Sequence, residues 1–322
     1  MEEISTTENA TEVKPLDRFS YSKISTYKQC AFKYLVKYKE KNFIDSSSLA
    51  TEFGTLVHET EEGIAALIQT SQPVNYIYLK NKFILGCRKL ALKYPNDWQK
   101  FDKSERTYQE KMYLYLDSAI YRLENYMKQH PELCIIGIEQ KFEYDYDGVH
   151  SFNGSIDRAF QNINTGEIII QDIKTWPVPA QASDLKAPLQ FAVYMMAAEQ
   201  LWGVPFNKIK CEYDLPLCDI TQAALSDNIV EESKPVLDKL FNGIKDENFK
   251  PTATALCHWC EYNPLTNTSI LETKPNAICP YFSTWQKSGD SVRDVLCKWG
   301  GAENINVDRQ FIISQLKQSN IA

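Results

Sequence analysis

No stretch of the chain approaches the run of about 20 apolar residues that a membrane-spanning helix needs. The amino terminus also lacks the basic start and apolar core of a secretory signal. Both absences make the cytosol the expected compartment. An excess of positive charge is missing too: 35 Lys and Arg stand against 42 Asp and Glu, a net charge of −7. That balance argues against a protein that coats nucleic acid by bulk phosphate neutralisation, although an enzyme needs only a local basic channel. Lys28, Lys33, Lys37, Lys39 and Lys41 form one local excess, which a solvated helix face explains equally well. There is no Gly-x-x-x-x-Gly-Lys phosphate loop, so unwinding of a duplex would fall to a partner. No internal repeat is visible.

Cysteine, by contrast, is present nine times, an odd number in a chain without an export signal. This favours buried thiols or a metal site over a disulfide framework. Residues 1–18 are polar, rich in Glu and Thr, and read as a disordered leader. From Ser22, taken as an N-cap, Ile24, Tyr27, Ala31, Tyr34, Leu35 and Tyr38 recur at helical spacing. A second helix is expected through Gly54, His58, Glu62 and Ala66, with amphipathic segments over 76–94 and 104–129. The pattern then becomes β-rich over 135–144, 149–160 and 167–173, divided by turn signals at Asp147-Gly148 and Asn164-Thr165-Gly166. A three-stranded meander follows, then a helix over 185–201 and a strand over 208–217. A short amphipathic helix is expected from Asp308 through Leu316.

Chemistry concentrates at the strand ends. Asp157 follows Gly154-Ser155-Ile156 on the second strand, and Gln171-Asp172-Ile173-Lys174 closes the third. Alternation along a strand places Asp172 and Lys174 on one face and Ile173 on the other. An isolated Asp-x-Lys is usually a surface ion pair of little consequence. Here the apolar run Ile168-Ile169-Ile170 leads into it and a separate Asp lies on the neighbouring strand, a placement typical of sites. Two carboxylates and a backbone carbonyl suit a hard cation such as magnesium or manganese, which would lower the pKa of water and offset charge on phosphate oxygens. Lys174 could hold the attacking water or a phosphate oxygen. Phosphodiester hydrolysis fits these parts. Glu139, on the first strand, reads as a solvated strand residue.

These motifs, in this order, resemble a RecB-like member of the PD-(D/E)XK nuclease superfamily, in particular the iron-sulfur branch that includes the AddB nuclease domain and CRISPR adaptation nucleases. The likeness runs from about Phe19 to Phe282. It implies an α+β fold with a restriction-endonuclease-like mixed sheet flanked by helices. Its parts would be a helical insertion near 63–133, a core near 134–217, a cysteine region near 250–282 and an extension over 283–322. Gly54-Thr55-Leu56-Val57-His58 resembles the family's first motif, which makes His58 a metal ligand. Asp157 resembles the second-motif ligand, Asp172 and Lys174 the third motif, and the Ile173 carbonyl completes the metal set by the same likeness. Gln190 and Tyr194, one helical turn apart, resemble a Gln-x-x-x-Tyr motif that supports the lysine and contacts DNA. Without the other motifs they would read as an ordinary half-buried pair.

Cys257-His258-Trp259-Cys260 and Cys279 before Pro280 resemble cluster ligands, and the resemblance supplies Cys30 as the fourth. A [4Fe-4S] cluster is implied. Four thiolates also hold zinc, and His258 keeps that alternative open. Ala31 stands where the family often has Pro, and the interval from Cys260 to Cys279 exceeds the usual one. Cys87, Cys134, Cys211, Cys218 and Cys297 have no partner pattern and read as packing residues. Tyr27, Phe32, Tyr34 and Trp176 could stack on unpaired bases or pack in the core. The implied activity is a metal-dependent exonuclease acting on DNA ends in recombination, repair or phage DNA processing, in a bacterial or phage-infected cytosol. A helicase or a single-strand-binding or annealing protein would be its partner. The rivals are a non-catalytic DNA-binding module, a redox or regulatory cluster protein, and an endonuclease of the restriction or transposition type.

Overall fold

A computed structural model of the chain describes residues 17–279 except 46, 253–254, 264–266, 268 and 275–276. The leader over 1–16, the side chain of His258, Pro280 to Phe282, Cys297 and the helix from Asp308 lie outside the described residues. The chain enters on strand β1 (Asp17–Phe19) and turns into α1 (Tyr21–Gln29). The N-cap of α1 is Ser20 rather than Ser22, with its hydroxyl accepting from the Lys23 amide at 3.4 Å. The helical periodicity after Ser22 is real but interrupted. At Cys30 the backbone is extended (φ −160°, ψ 110°), and the pattern resumes as α2 (Ala31–Tyr34) and a π-helical turn over Leu35–Lys39.

The helical third continues with α3 (Leu49–Gln69), α4 (Tyr76–Lys93) and α5 (Pro95–Trp98), then α6 (Tyr108–Asp117) and α7 (Arg122–Gln129). Segment 104–129 is therefore two helices, because Thr107 and Glu110 close a capping box that starts α6 late and a 3₁₀ turn over Ala119–Tyr121 divides it from α7. Next come β2 (Leu133–Asp145), β3 (His150–Asn162) and β4 (Ile168–Ile173), the expected meander. Its first turn is fixed by Gly148 at φ +77° and by Asp147, whose Oδ1 accepts from the amides of Val149 and His150.

After β4, a short α8 (Ala182–Leu185) precedes α9 (Leu189–Trp202), which starts later than its periodicity suggests because Pro188 occupies the N-cap. Strand β5 (Ile209–Leu215), β6 (Ile220–Ala223), α10 (Ile229–Lys245), a 3₁₀ turn over Ala255–Trp259 and α11 (Ile270–Thr273) complete the described chain. The sheet order is β1-β3-β4-β5-β6, with β2 along the other edge of β3. β1 runs parallel to β3 and β5 parallel to β4, while the remaining pairs are antiparallel. The fold is thus an α+β mixed sheet flanked by helices.

Both faces of the sheet are covered. One core packs Phe152, Ile156 and Ile170 against α1, α9 and α10; the other packs Leu133, Ile135 and Phe160 against α3, α4, α6 and α7. A third cluster joins Phe32 and Val36 to Tyr262, Ile270 and Ile278, drawing the end of the described chain onto its beginning. Tyr27, Phe32 and Tyr34 are buried in these clusters, so packing accounts for them. Trp176 is half-buried, tilted on Tyr213 with ring centroids 5.0 Å apart.

Candidate functional site

The site lies where the sheet forks. β1 and β4 share one edge of β3, β1 pairing with residues 150–152 and β4 with residues 158–161. The β3–β4 ladder ends at the Arg158–Gln171 pair, so Asp157 and Asp172 are the first residues beyond it. Asp157 Oδ2 accepts the Ile173 amide at 2.8 Å, bridging the opening with a side chain where a backbone bond would otherwise stand.

Helix α3 closes over this fork. It begins at Ser48, whose hydroxyl accepts from the Thr51 amide, and presents His58 with Nδ1 at 3.6 Å from Asp157 Oδ2 and 3.9 Å from Glu139 Oε1. A Gly inside a helix costs about 1 kcal/mol relative to Ala, and Gly54 has a spatial reason to be there. A Cβ at Gly54 would sit 3.1 Å from Thr175 Oγ1, just past the end of β4. The small residue one turn before His58 lets α3 approach the strand ends.

Glu139 is not a solvated strand residue, as its sequence position suggested. It is half-buried and has left-handed backbone, φ +43°. The alternation of β2 changes phase there: Ile138 packs with the α3-side core, whereas Phe142 and Tyr144 pack with the α9-side core. The kink puts Glu139 beside His58, and its Oε2 also accepts from Ser155 Oγ at 2.9 Å. One signal could have found it. Pairs in the β2–β3 hairpin lie equally far on either side of Gly148, and Glu139 and Asp157 share that relation. Among the described residues, His58, Glu139 and Asp157 form the set whose ligand atoms all lie within 4.8 Å of one another.

Asp172 is held from the other side. Its Oδ2 stands 2.6 Å from Lys174 Nζ, which confirms that the two share a face. This ion pair is the contact made by the buried Oδ2. Its Oδ1 accepts from Gln190 Nε2 at 3.0 Å and Tyr194 OH at 3.4 Å, while Gln190 Oε1 receives Lys174 Nζ at 3.3 Å. Gln190 and Tyr194, also bonded to each other at 2.8 Å, thus support both the acid and the base of the Asp-x-Lys pair.

Electrostatics follow from this crowding. Burial raises the Asp157 carboxyl, and the neighbouring Asp172 raises it further. Burial raises Asp172 as well, against the opposing pull of Lys174. Burial pulls His58 down, but Glu139, Asp157 and Asp172 outweigh it and its pKa is raised. Such a surplus of buried carboxylate charge is what a bound cation relieves.

Behind the site runs a second polar system. The Arg158 guanidinium, fully buried, reaches Glu61 on α3 at 3.3 Å, Asp214 on β5 at 2.7 Å and Gln171 on β4 at 2.9 Å. Tyr115 of α6 donates to Glu61 at 2.7 Å, and Arg122 of α7 to Asp214 at 3.0 Å. The Asp214 carbonyl accepts the Lys174 amide at 2.9 Å. His58, Asp157 and Lys174 are therefore each carried by a segment that this network ties together.

Against this geometry, a family model of the PD-(D/E)XK nuclease superfamily matches residues 18–265. The chain belongs to the PD-(D/E)XK nuclease superfamily. A search of curated proteins gave no match. Members of the superfamily are generally nuclease hydrolases that use divalent metals, and their fold implies a DNA substrate. The site suits such an ion: it offers an imidazole and three carboxylates, and the buried Asp172 Oδ2 has Lys174 as its near neighbour. No helix of the described residues is long and apolar enough to cross a membrane.

Cys257 comes near Cys30 through a shared partner, Thr252. Cys30 Sγ accepts the Thr252 amide at 3.5 Å, and Cys257 Sγ lies 3.9 Å from the Thr252 carbonyl. Cys260 and Cys279 pack with Cys30 on the third apolar cluster, and the Cys279 amide donates to the Tyr262 carbonyl. Burial pushes the Cys260 thiol up to about 11. Lys33, from the basic run, pairs with Glu261 at 2.8 Å beside these cysteines, so that lysine is part of the fold. Cys87 and Cys211 are buried and Cys134 and Cys218 half-buried, in keeping with packing.

Proposed function

We propose that the chain is a RecB-like, metal-dependent deoxyribonuclease that hydrolyses phosphodiester bonds from DNA ends. The observation that carries this reading is the convergence of His58, Glu139 and Asp157 on one side of the fork with the Asp172–Lys174–Gln190–Tyr194 chain on the other. His58, Asp157, Asp172 and the Ile173 carbonyl would hold magnesium or manganese, with Glu139 as a further carboxylate. Bound there, the ion supplies Lewis acidity and a nucleophile at neutral pH.

The chain's own residues do the rest. Lys174, held by Asp172 and Gln190, would steady the attacking water or a phosphate oxygen. Gln190 and Tyr194 fix Asp172 Oδ1, which leaves Oδ2 for the cation and the lysine. The Ile173 amide orients Asp157 by donating to its Oδ2. Cys30, Cys257, Cys260 and Cys279 are read as ligands of a [4Fe-4S] cluster, with zinc as the second choice. A cytosolic role in recombination, repair or phage DNA processing, beside a helicase or a single-strand annealing protein, completes the reading.

The test is digestion of end-labelled single- and double-stranded DNA with magnesium or manganese, with EDTA and Asp172→Ala as controls. Metal-dependent shortening from an end, lost in the variant, supports the exonuclease. Internal fragments would indicate an endonuclease, and tightly bound but intact DNA a non-catalytic binding module. Iron, sulfide and zinc content of anaerobically purified protein separates the two cysteine-site assignments.

A further inference from the structure

The face of α4 turned away from the core carries Tyr78, Leu85 and Leu92, which are 63, 56 and 84% exposed. Its other face, with Leu79, Phe83, Cys87 and Leu90, is buried. Single exposed apolar residues are ordinary on a protein surface. These three, however, are spaced by seven residues, and a seven-residue step on an α-helix drifts only about 20°. They form one nearly straight stripe about 21 Å long at 1.5 Å per residue.

Charge on this helix is one-sided. Lys80, Lys82, Arg88, Lys89 and Lys93 lie on α4 with no Asp or Glu, in a chain whose net charge is −7. Two of the five are used internally: Lys80 sits over the Tyr121 ring and Lys93 pairs with Glu52. Lys82, Arg88 and Lys89 are exposed and have no ion pair or hydrogen bond among the described residues. Lys82 and Lys89 follow Tyr78 and Leu85 by four residues, and Arg88 follows Leu85 by three, so cations flank the stripe on both sides.

We propose that this face docks an acidic amphipathic helix of a partner protein, whose apolar residues lie along Tyr78, Leu85 and Leu92 and whose Asp or Glu side chains meet Lys82, Arg88 and Lys89. Charge selects this occupant. A second copy of α4 would set cation against cation across the seam. A phosphate backbone would satisfy the cations but leave the leucines facing a charged surface. An acidic helix with a seven-residue apolar repeat satisfies both at once. The surface is built without the metal-ligand residues, and the inference does not rest on the nuclease reading.

The test uses the full chain and a fluorescent three-heptad helical peptide with Leu at the seam and Glu on its flanks, read by anisotropy. A peptide of the same composition in scrambled order is the control. Leu85→Ser with Leu92→Ser, and separately Lys82→Glu with Lys89→Glu, should each weaken binding about tenfold or more. A peptide with Lys in place of the flanking Glu should restore binding to the charge-reversed variant alone. Binding no better than the scrambled control, or no restoration, overturns the proposal. So does unchanged peptide binding in variants that instead lose self-association, affinity for short single-stranded DNA, or adsorption to anionic vesicles.

Discussion

At the scale of single residues, the carboxylates at the fork set function against stability. Asp157 is buried beside Asp172, and its folded-state pKa is raised. A carboxyl raised in the folded state binds its proton more tightly there than in the unfolded chain. Stability therefore falls as pH rises from the unfolded value toward the folded one, and the full cost is present at neutral pH. Asp157→Asn removes that charge, and its side-chain oxygen can still accept the Ile173 amide. It should raise the stability of the metal-free protein at pH 7 by about 1 to 3 kcal/mol, seen as a higher denaturant midpoint, while abolishing cleavage. An unchanged or lowered midpoint would contradict this account. Tyr194→Phe is the milder probe: Gln190 still holds Asp172, so cleavage should fall by about tenfold with the fold intact. That His58, Asp157, Asp172 and Lys174 lie near one another was expected from the sequence, because each sits in a short motif that resembles the superfamily's. The place of Glu139 beside them was missed, since the left-handed backbone there puts the strand patterns on its two sides out of phase, and only its hairpin register with Asp157 pointed to it.

At the scale of elements, the decisive relation is how closely α3 lies against the end of β4. Gly54 permits it, and Gly54→Val would drive a branched side chain into Thr175. The expected result is a protein that still folds, because helix propensity improves, but that binds manganese more weakly in calorimetry as His58 is lifted from Asp157. The buried arginine network fastens the same elements. Arg158→Ala would leave Glu61 and Asp214 without their shared cation, a change that typically costs about 3 to 5 kcal/mol. Burial already raises the Glu61 pKa even with Arg158 in place. Without the arginine it should rise further, so the variant should lose more stability at pH 8 than at pH 5 in urea titrations. The meander and most helices were readable from periodicity and turn residues. The break at Cys30 and the delayed start of α9 were not, because extended backbone at one residue and a proline cap override a continuous apolar repeat.

At the scale of the whole molecule, the last described residues pack on the first. Phe32 and Val36 meet Tyr262 and Ile278, and Cys30 lies beside Thr252. If four cysteines close that junction around a cluster, the bond spans nearly the entire described chain, and such long closures restrict the unfolded state most. Cys260→Ser should then lower the melting temperature and loosen DNA binding together. A variant of normal stability and full metal content would argue that the junction is held by apolar packing alone. Sequence supplied the cysteines and their spacing, but not the apolar cluster beneath them, which is assembled from two segments too short and too distant to show any period.

The fork between β3 and β4 also bears on biosynthesis. Its parts emerge from the ribosome in the order His58, Glu139, Asp157, Asp172 and Lys174, then Gln190 and Tyr194, and the Asp214 carbonyl that anchors the lysine follows only with β5. Every shorter nascent chain lacks at least one member of the constellation. On the proposed nuclease reading, competence therefore arrives only once β5 has been made, because the anchor of the lysine is the last part to appear.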